Sequence, residues 1–451
     1  MIKPKVGFMA VSCPTHVKAT TETGEKWVDE SLIDQLLDSL KGYNLEVMEY
    51  KNLIDSVSSS LEAVDKFKRE DVDCMVVYIA TWNWASQIMQ AAREFGRPII
   101  LWALPRPSAW SIGGLAVTHG SFDEVGIPHR VVYGFPDEPE VKQQIVRYAN
   151  AARVAAILKK SIYGSIGGQG MGIHTGIVDA NQWLKDFGIG IGFTDQYTVV
   201  VEAEKMPKPE VEKVYKQLKE EYGEVPPLDE ITERSIRLYL ALEKIIEKEG
   251  YNFTGVKCTF DLSDNYCTAC LAQSRLATRG FVSACLNDAN AALTMYIMRQ
   301  LTDEPIFMAD VNLVDKKNRI VRLIDDGAGS INLAANPKKV RLSYQPRLEA
   351  KASGVCTGLI CKPGEVTLAR LARVKGRYVM QIARGEAFEG QKEWLRECGY
   401  PMWPHAFIHF KGDIDAFIQN LRSEYIHMAY GDLKDQLVEV CRVLEIEPII
   451  T

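Results

Sequence analysis

Five short, largely apolar runs recur about 25 to 40 residues apart near the start of the chain, as KVGFMAVS, NLEVMEYK, VDCMVVYIA, RPIILWAL and HRVVYG. A strand covered on both faces reads this way, whereas a strand with one wet face alternates apolar and polar residues. Between the runs, DESLIDQLLDSL and WASQIMQAAREFG carry helical periodicity. The pattern therefore predicts βαβ crossovers over a parallel sheet, a Rossmann-like doubly wound domain spanning residues 1–155.

A helix rich in small residues, EVKQQIVRYANAARVAAILKK, leads to a second Rossmann-like α/β domain over 156–304. It begins at IYGSIGGQGMGIHTG and continues through YTVVVEAE into KPEVEKVYKQLKEEYG and DEITERSIRLYLALEKIIEKEG, whose Glu and Lys at i,i+4 mark solvated faces. From 305 to 451 the character changes. RIVRLIDD, KVRLSYQ, GVCTGLICK, EVTLARLARVKGRYVMQIARGEA and HAFIHFKG are short strand-like runs separated by turns. They predict a C-terminal antiparallel β-barrel domain, followed by the terminal helix DLKDQLVEVCRVLEI.

Composition narrows the function. A formal net charge of -6 over 451 residues supplies no positive field to gather nucleic acid or anionic lipid, so a small molecule is the expected ligand. No run approaches the roughly 18 apolar residues of a membrane span, and the N-terminal apolar run is too short for a signal peptide. A cytoplasmic protein is expected. Its ten cysteines, several inside apolar runs, should be free thiols.

Several residue groups invite a functional reading. The glycines of SIGGQGMG, Gly167, Gly168, Gly170 and Gly172, lack both the dinucleotide spacing and a Walker lysine, so they read as a tight turn rather than a phosphate cradle. Cys258, Cys267, Cys270 and Cys285 fit no usual metal template and read as core thiols. The carboxylates Asp288, Asp310, Asp325 and Asp326 carry more information, because Asp310 ends the run PIFMA and the pair Asp325 and Asp326 ends VRLI. Carboxylates at strand ends line many α/β sites, although capping or turn formation explains any one of them equally well. His427, in YIHMAYGD, is the histidine best placed to join them, and the other histidines show no ligand-pair spacing. Trp82 and Trp84 follow a strand directly, where a flat ring can serve as a sugar platform or pack between sheet and helix.

Taken in order, YGSIGGQGMG with DANQWLKDFGI, GVKCTFDLSD, ACLNDANAALTMYIM, PIFMADVN, CKPGEVTLARL, PHAFIHF and YIHMAYGDL resemble the L-fucose isomerase and L-arabinose isomerase superfamily over nearly the whole chain. The resemblance implies two Rossmann-like domains and a C-terminal barrel. It also implies a homo-oligomer, a trimer or hexamer, in which a neighbour's first domain completes the site with the aromatic at Trp82. The implied chemistry is aldose–ketose isomerisation through an ene-diol with a divalent metal, manganese being expected.

Of the three metal ligands the resemblance implies, only Asp310 is present. The glutamate position is Leu286 and the histidine position is Tyr425. Replacement ligands lie nearby, so the expected metal set is Asp310, Asp325 and His427, with Asp310 and Asp288 as catalytic groups and Trp82, His427 and Tyr425 as the substrate wall. The alternative is a non-catalytic or metal-free sugar-binding relative on the same scaffold.

Overall fold

The computed structural model describes residues 2–346 and 354–451. The chain forms two compact units, one of residues 1–157 with 438–444, the other of residues 158–437 with 445–451. In the first unit the five apolar runs become β1 (Lys5–Val11), β2 (Glu46–Glu49), β3 (Cys74–Ile79), β4 (Ile99–Ala103) and β5 (His129–Tyr133). They pair in parallel in the order β2-β1-β3-β4-β5. Residues of β3 and β4 are buried throughout, as runs covered on both faces require.

The second unit starts with another parallel sheet, β6 (Ile162–Ile166), β7 (Gly190–Thr194), β8 (Phe253–Val256) and β9 (Ser283–Cys285), in the order β7-β6-β8-β9. YTVVVEAE forms the helix Gln196–Glu204 despite its three valines, because Val199 and Ala203 bury a helical face against the helix Glu230–Glu249. Packing overrides β-propensity here.

The remaining strands are β10 (Phe307–Asp315), β11 (Ile320–Ile324), β12 (Arg341–Tyr344), β13 (Val355–Gly358), β14 (Gly364–Val374), β15 (Arg377–Phe388), β16 (His405–Lys411), β17 (Tyr425–Tyr430) and β18 (Glu447–Ile450). Seven of them form a sheet ordered β14-β17-β10-β11-β16-β15-β18, in which β14 also pairs with β15, while β12 and β13 form a separate ladder. The sheet is mixed rather than antiparallel throughout, because β18 runs parallel to β15. A strand delivered by a helix, here Lys434–Val443, is not held to the reversal that a hairpin imposes. One apolar core runs continuously from Ile166 of β6 to Met428 of β17, so both sheets of this unit share it. No helix among the described residues is long and apolar enough to cross a membrane.

Candidate active site

The site is built around the turn that follows β9. Leu286 and Asn287 both have φ 53, a left-handed conformation that costs a leucine about 1–2 kcal/mol. Asn287 holds the turn in place. Its side-chain amide donates to Ser165 Oγ at 2.8 Å and to the Gly168 carbonyl, and its Oδ1 accepts from the Tyr163 hydroxyl at 2.6 Å.

The glycine-rich loop lies on this turn, and its composition follows from that contact. A Cβ on Gly170 would fall 2.4 Å from the Leu286 carbonyl oxygen, and one on Gly176 would fall 2.9 Å from Asp288 Cγ. These glycines permit close approach of two backbones. Beside them a cavity of about 330 Å³ is lined by Gln169, Ile173, Ile177, Phe193, Leu286 and Asp288. It lies beyond the carboxyl ends of β6 and β9, the usual ligand position in an open α/β sheet.

Asp288 is engaged on both oxygens. It caps the helix Ala289–Arg299 by accepting from Ala291 N–H at 2.8 Å, and Arg370 of β14 reaches its two oxygens at 3.1 and 2.8 Å. The pair is sealed, with side chains 3% and 1% exposed. Asn290, the second residue of that helix, donates to the Thr175 carbonyl at 2.6 Å.

Asp310 has a different setting. It pairs across the sheet with Tyr425 of β17 and Ile324 of β11, so Asp325 and Asp326 begin the turn beside it and Glu424 precedes Tyr425. Asp325 is buried and accepts from the backbone N–H groups of Gly327 and Ala328. Burial, then repulsion from Asp326, Glu424 and Asp325, pushes Asp310 up to about 8. Burial and Asp326 push Asp325 up to about 7. Glu424 rises in the same direction through burial and the charges of Asp326 and Asp288. The Tyr425 hydroxyl is raised well above its usual range by burial and by Cys285 and Asp310, so it stays protonated.

Asp310 and Asp325 meet the conditions for proton transfer near neutrality, since a group whose pKa lies close to the working pH both takes and returns a proton efficiently. Solvent reaches the edge of this cluster, because Glu424 is exposed and Asp310 and Asp326 are only partly buried, while Asp325 is sealed behind them.

His427 sits elsewhere in the same sheet. Its partner in β10 is Met308, and its fully buried ring donates from Nδ1 to the Ala369 carbonyl at 3.0 Å, leaving Nε2 without a hydrogen-bond partner. Burial and the Arg370 charge hold its pKa well below the usual imidazole value. A nitrogen fixed in this way suits a metal ion, but a neighbouring guanidinium opposes one. Among the described residues, the three His, Cys, Asp or Glu side chains that bring ligand atoms within 4.8 Å of one another are His119, Asp123 and His129, not Asp310, Asp325 and His427. By charge and donor type the acids Asp310, Asp325, Asp326 and Glu424 suit a hard divalent cation, although no three of them bring ligand oxygens within 4.8 Å of one another.

Trp82 belongs to the first unit, where it is half-buried beyond β3 with Gly113 against its ring; Trp84 and Trp110 are 45% and 63% exposed. Arg370 and Glu424 are the site residues that sequence reasoning missed. An arginine inside the apolar run TLARLA and an acid just before YIHMAY were the available signals. All ten cysteines are free thiols, as expected.

Residues 3–160 match the family model of the L-fucose isomerase first N-terminal domain, and residues 331–451 match that of the L-fucose isomerase C-terminal domain. The sulfoquinovose isomerase of Priestia megaterium is 21% identical over 441 residues, covering 96% of this chain and 97% of that protein. A sulfoquinovose isomerase from a Clostridium species is 21% identical over 462 residues, covering 99% of each. The L-fucose isomerase of Bacteroides thetaiotaomicron is 23% identical over 521 residues, covering 92% and 87%.

Proposed function

This chain belongs to the L-fucose isomerase superfamily, and from that membership we propose that it is an enzyme interconverting an aldose and a ketose through an ene-diol, with Asp310 carrying the proton. The observation that supports this assignment most is the cluster around Asp310, whose pKa of about 8 suits a group that must both remove and replace a proton. A hydrogen on the carbon beside a carbonyl is too weakly acidic to leave unaided. Asp310 takes it from one carbon and returns it to the next, while the Tyr425 hydroxyl, opposite Asp310 in the strand pair, donates to the sugar oxygen that gains charge.

A divalent cation, with manganese as the expectation, would be held by Asp325 with Asp326 and Glu424 once their oxygens close around it, leaving Asp310 beside it to carry the proton, and when bound it would supply Lewis-acid polarisation of the sugar oxygens. His427 and Arg370 then act on the protein side, fixing the sheet and the turn against which the sugar lies. The proposal extends to a homo-oligomer, a trimer or hexamer, in which Trp82 of a neighbouring copy forms the sugar platform. It also includes a C-terminal barrel, supported by the pairing of β14 with both β17 and β15. Cytoplasmic residence is part of the same reading, supported by the ten free thiols.

Sulfoquinovose is the first substrate to test, with L-fucose second, because these sugars name the relatives matched over nearly the full chain. Incubation with each in heavy water, with and without manganese, should place deuterium on the carbon beside the carbonyl, and Asp310→Asn should abolish the exchange. Exchange at the native rate in Asp310→Asn would remove Asp310 from the mechanism. Saturable sugar binding without exchange would favour a non-catalytic relative, the reading that Leu286 and Tyr425 support.

A further inference from the structure

We propose that His119, Asp123 and His129 form a second metal site, in the first unit, for a late first-row divalent ion such as zinc. His119 and Asp123 lie one turn apart on the helix Ser111–Val125. The chain reverses after Gly126, whose φ is +71, and His129 opens β5. His129 Nδ1 contacts the Ile127 carbonyl at 2.8 Å, which places the proton on Nδ1 and turns the Nε2 lone pair outward. The Nδ1 of His119 is 2.7 Å from that Nε2. Asp123 approaches His119 Nε2 at 3.6 Å and His129 Nε2 at 3.8 Å.

The site combines a rigid member with two accessible ones. The His129 side chain is 6% exposed and meets Phe122 edge-on at 5.3 Å, whereas His119 and Asp123 are 45% and 64% exposed. Two nitrogens sharing one tetrahedral zinc lie about 3.3 Å apart, so the exposed His119 ring, binding through Nδ1, needs to swing outward by about half an ångström, with the Asp123 carboxylate turning to meet the ion beside His129 Nε2. Both are exposed side chains on one helix face, and the ion would replace the hydrogen bond between His119 Nδ1 and His129 Nε2. Two imidazoles and one carboxylate favour zinc, copper, nickel or cobalt over manganese or magnesium, which sets this site apart from the all-oxygen cluster at Asp310. Arg442 is the nearby opposing charge, and it pairs with Glu439 at 3.2 Å, which also faces Arg130 at 3.7 Å. A bound ion would tie the end of the helix Ser111–Val125 to β5.

The test uses the full chain stripped with chelator, with excess manganese present to fill any oxygen site. Zinc is titrated by calorimetry, and cobalt is substituted for its ligand-field spectrum. Native protein should take up one zinc per chain with a rise in thermal stability. His119→Gln and Asp123→Asn, both at exposed positions, should each weaken zinc binding about tenfold or more and lose the thermal shift, while Asp310→Asn keeps both. The proposal is overturned if native protein takes up no zinc at millimolar concentration, if His119→Gln binds as tightly as native protein, or if zinc binding is lost in Asp310→Asn alone.

Discussion

Asp288 and Asp310 are two carboxylates of one unit, both largely removed from water, with opposite surroundings. Asp288 meets a guanidinium on both oxygens and a helix N–H on one of them. Asp310 meets three further acids and no basic side chain among the groups that set its pKa. Burial alone therefore does not decide what an aspartate does. A paired carboxylate holds structure, whereas one left among like charges is lifted to a pKa at which it can move a proton.

The comparison is sharpest in turnover. Asp310→Asn should lower isomerisation by about 10²- to 10⁴-fold with the fold intact, read as substrate-derived exchange beside circular dichroism. Next in size, Arg370→Met leaves Asp288 buried without its counter-charge and should destabilise the protein by about 3–5 kcal/mol in chemical denaturation. Equal stability of native and Arg370→Met protein would break the contrast.

A cation should act on the acids beside Asp310 and not on Asp288. Manganese at about a hundredfold over its Kd should stabilise native protein by about 2.7 kcal/mol, and Asp325→Asn should lose most of that gain in thermal melts. The pH dependence of the metal-free protein is the smallest effect and has a definite sign. The folded pKa of Asp310, about 8, lies above the ordinary value of 3.8, so the native state binds more protons than the unfolded chain between those values. Its contribution to stability therefore falls as pH rises through that window and levels off above pH 8. Asp325 acts in the same direction up to about 7. Asp310→Asn should melt higher than native protein at alkaline pH, with the difference shrinking towards pH 5.

The strands and the strand-end acids were legible in sequence because each is announced locally. A buried parallel strand is an apolar run, and Asp325 directly follows β11, whereas Asp310 ends only the buried stretch of β10, a strand that runs on to Asp315. Asp288 was legible as a helix cap but not as a partner of Arg370, since the two lie 82 residues apart and meet only through the packing of the helix Ala289–Arg299 on β14. The same holds for Glu424, which approaches Asp310 through a register that no local pattern reveals. Leu286 and Tyr425 were read as departures from the superfamily pattern. The left-handed turn that Leu286 occupies, held by Asn287, depends on contacts with β6 and the glycine-rich loop.

The most direct test of the Asp310 assignment is infrared difference spectroscopy of metal-free native protein against Asp310→Asn across pH. The account predicts a protonated carboxyl band at neutral pH that disappears around pH 8 and is missing from the variant. A band that titrates near the ordinary aspartate value would contradict it, because Asp310 would then stand as an ordinary ionised carboxylate with no proton to carry.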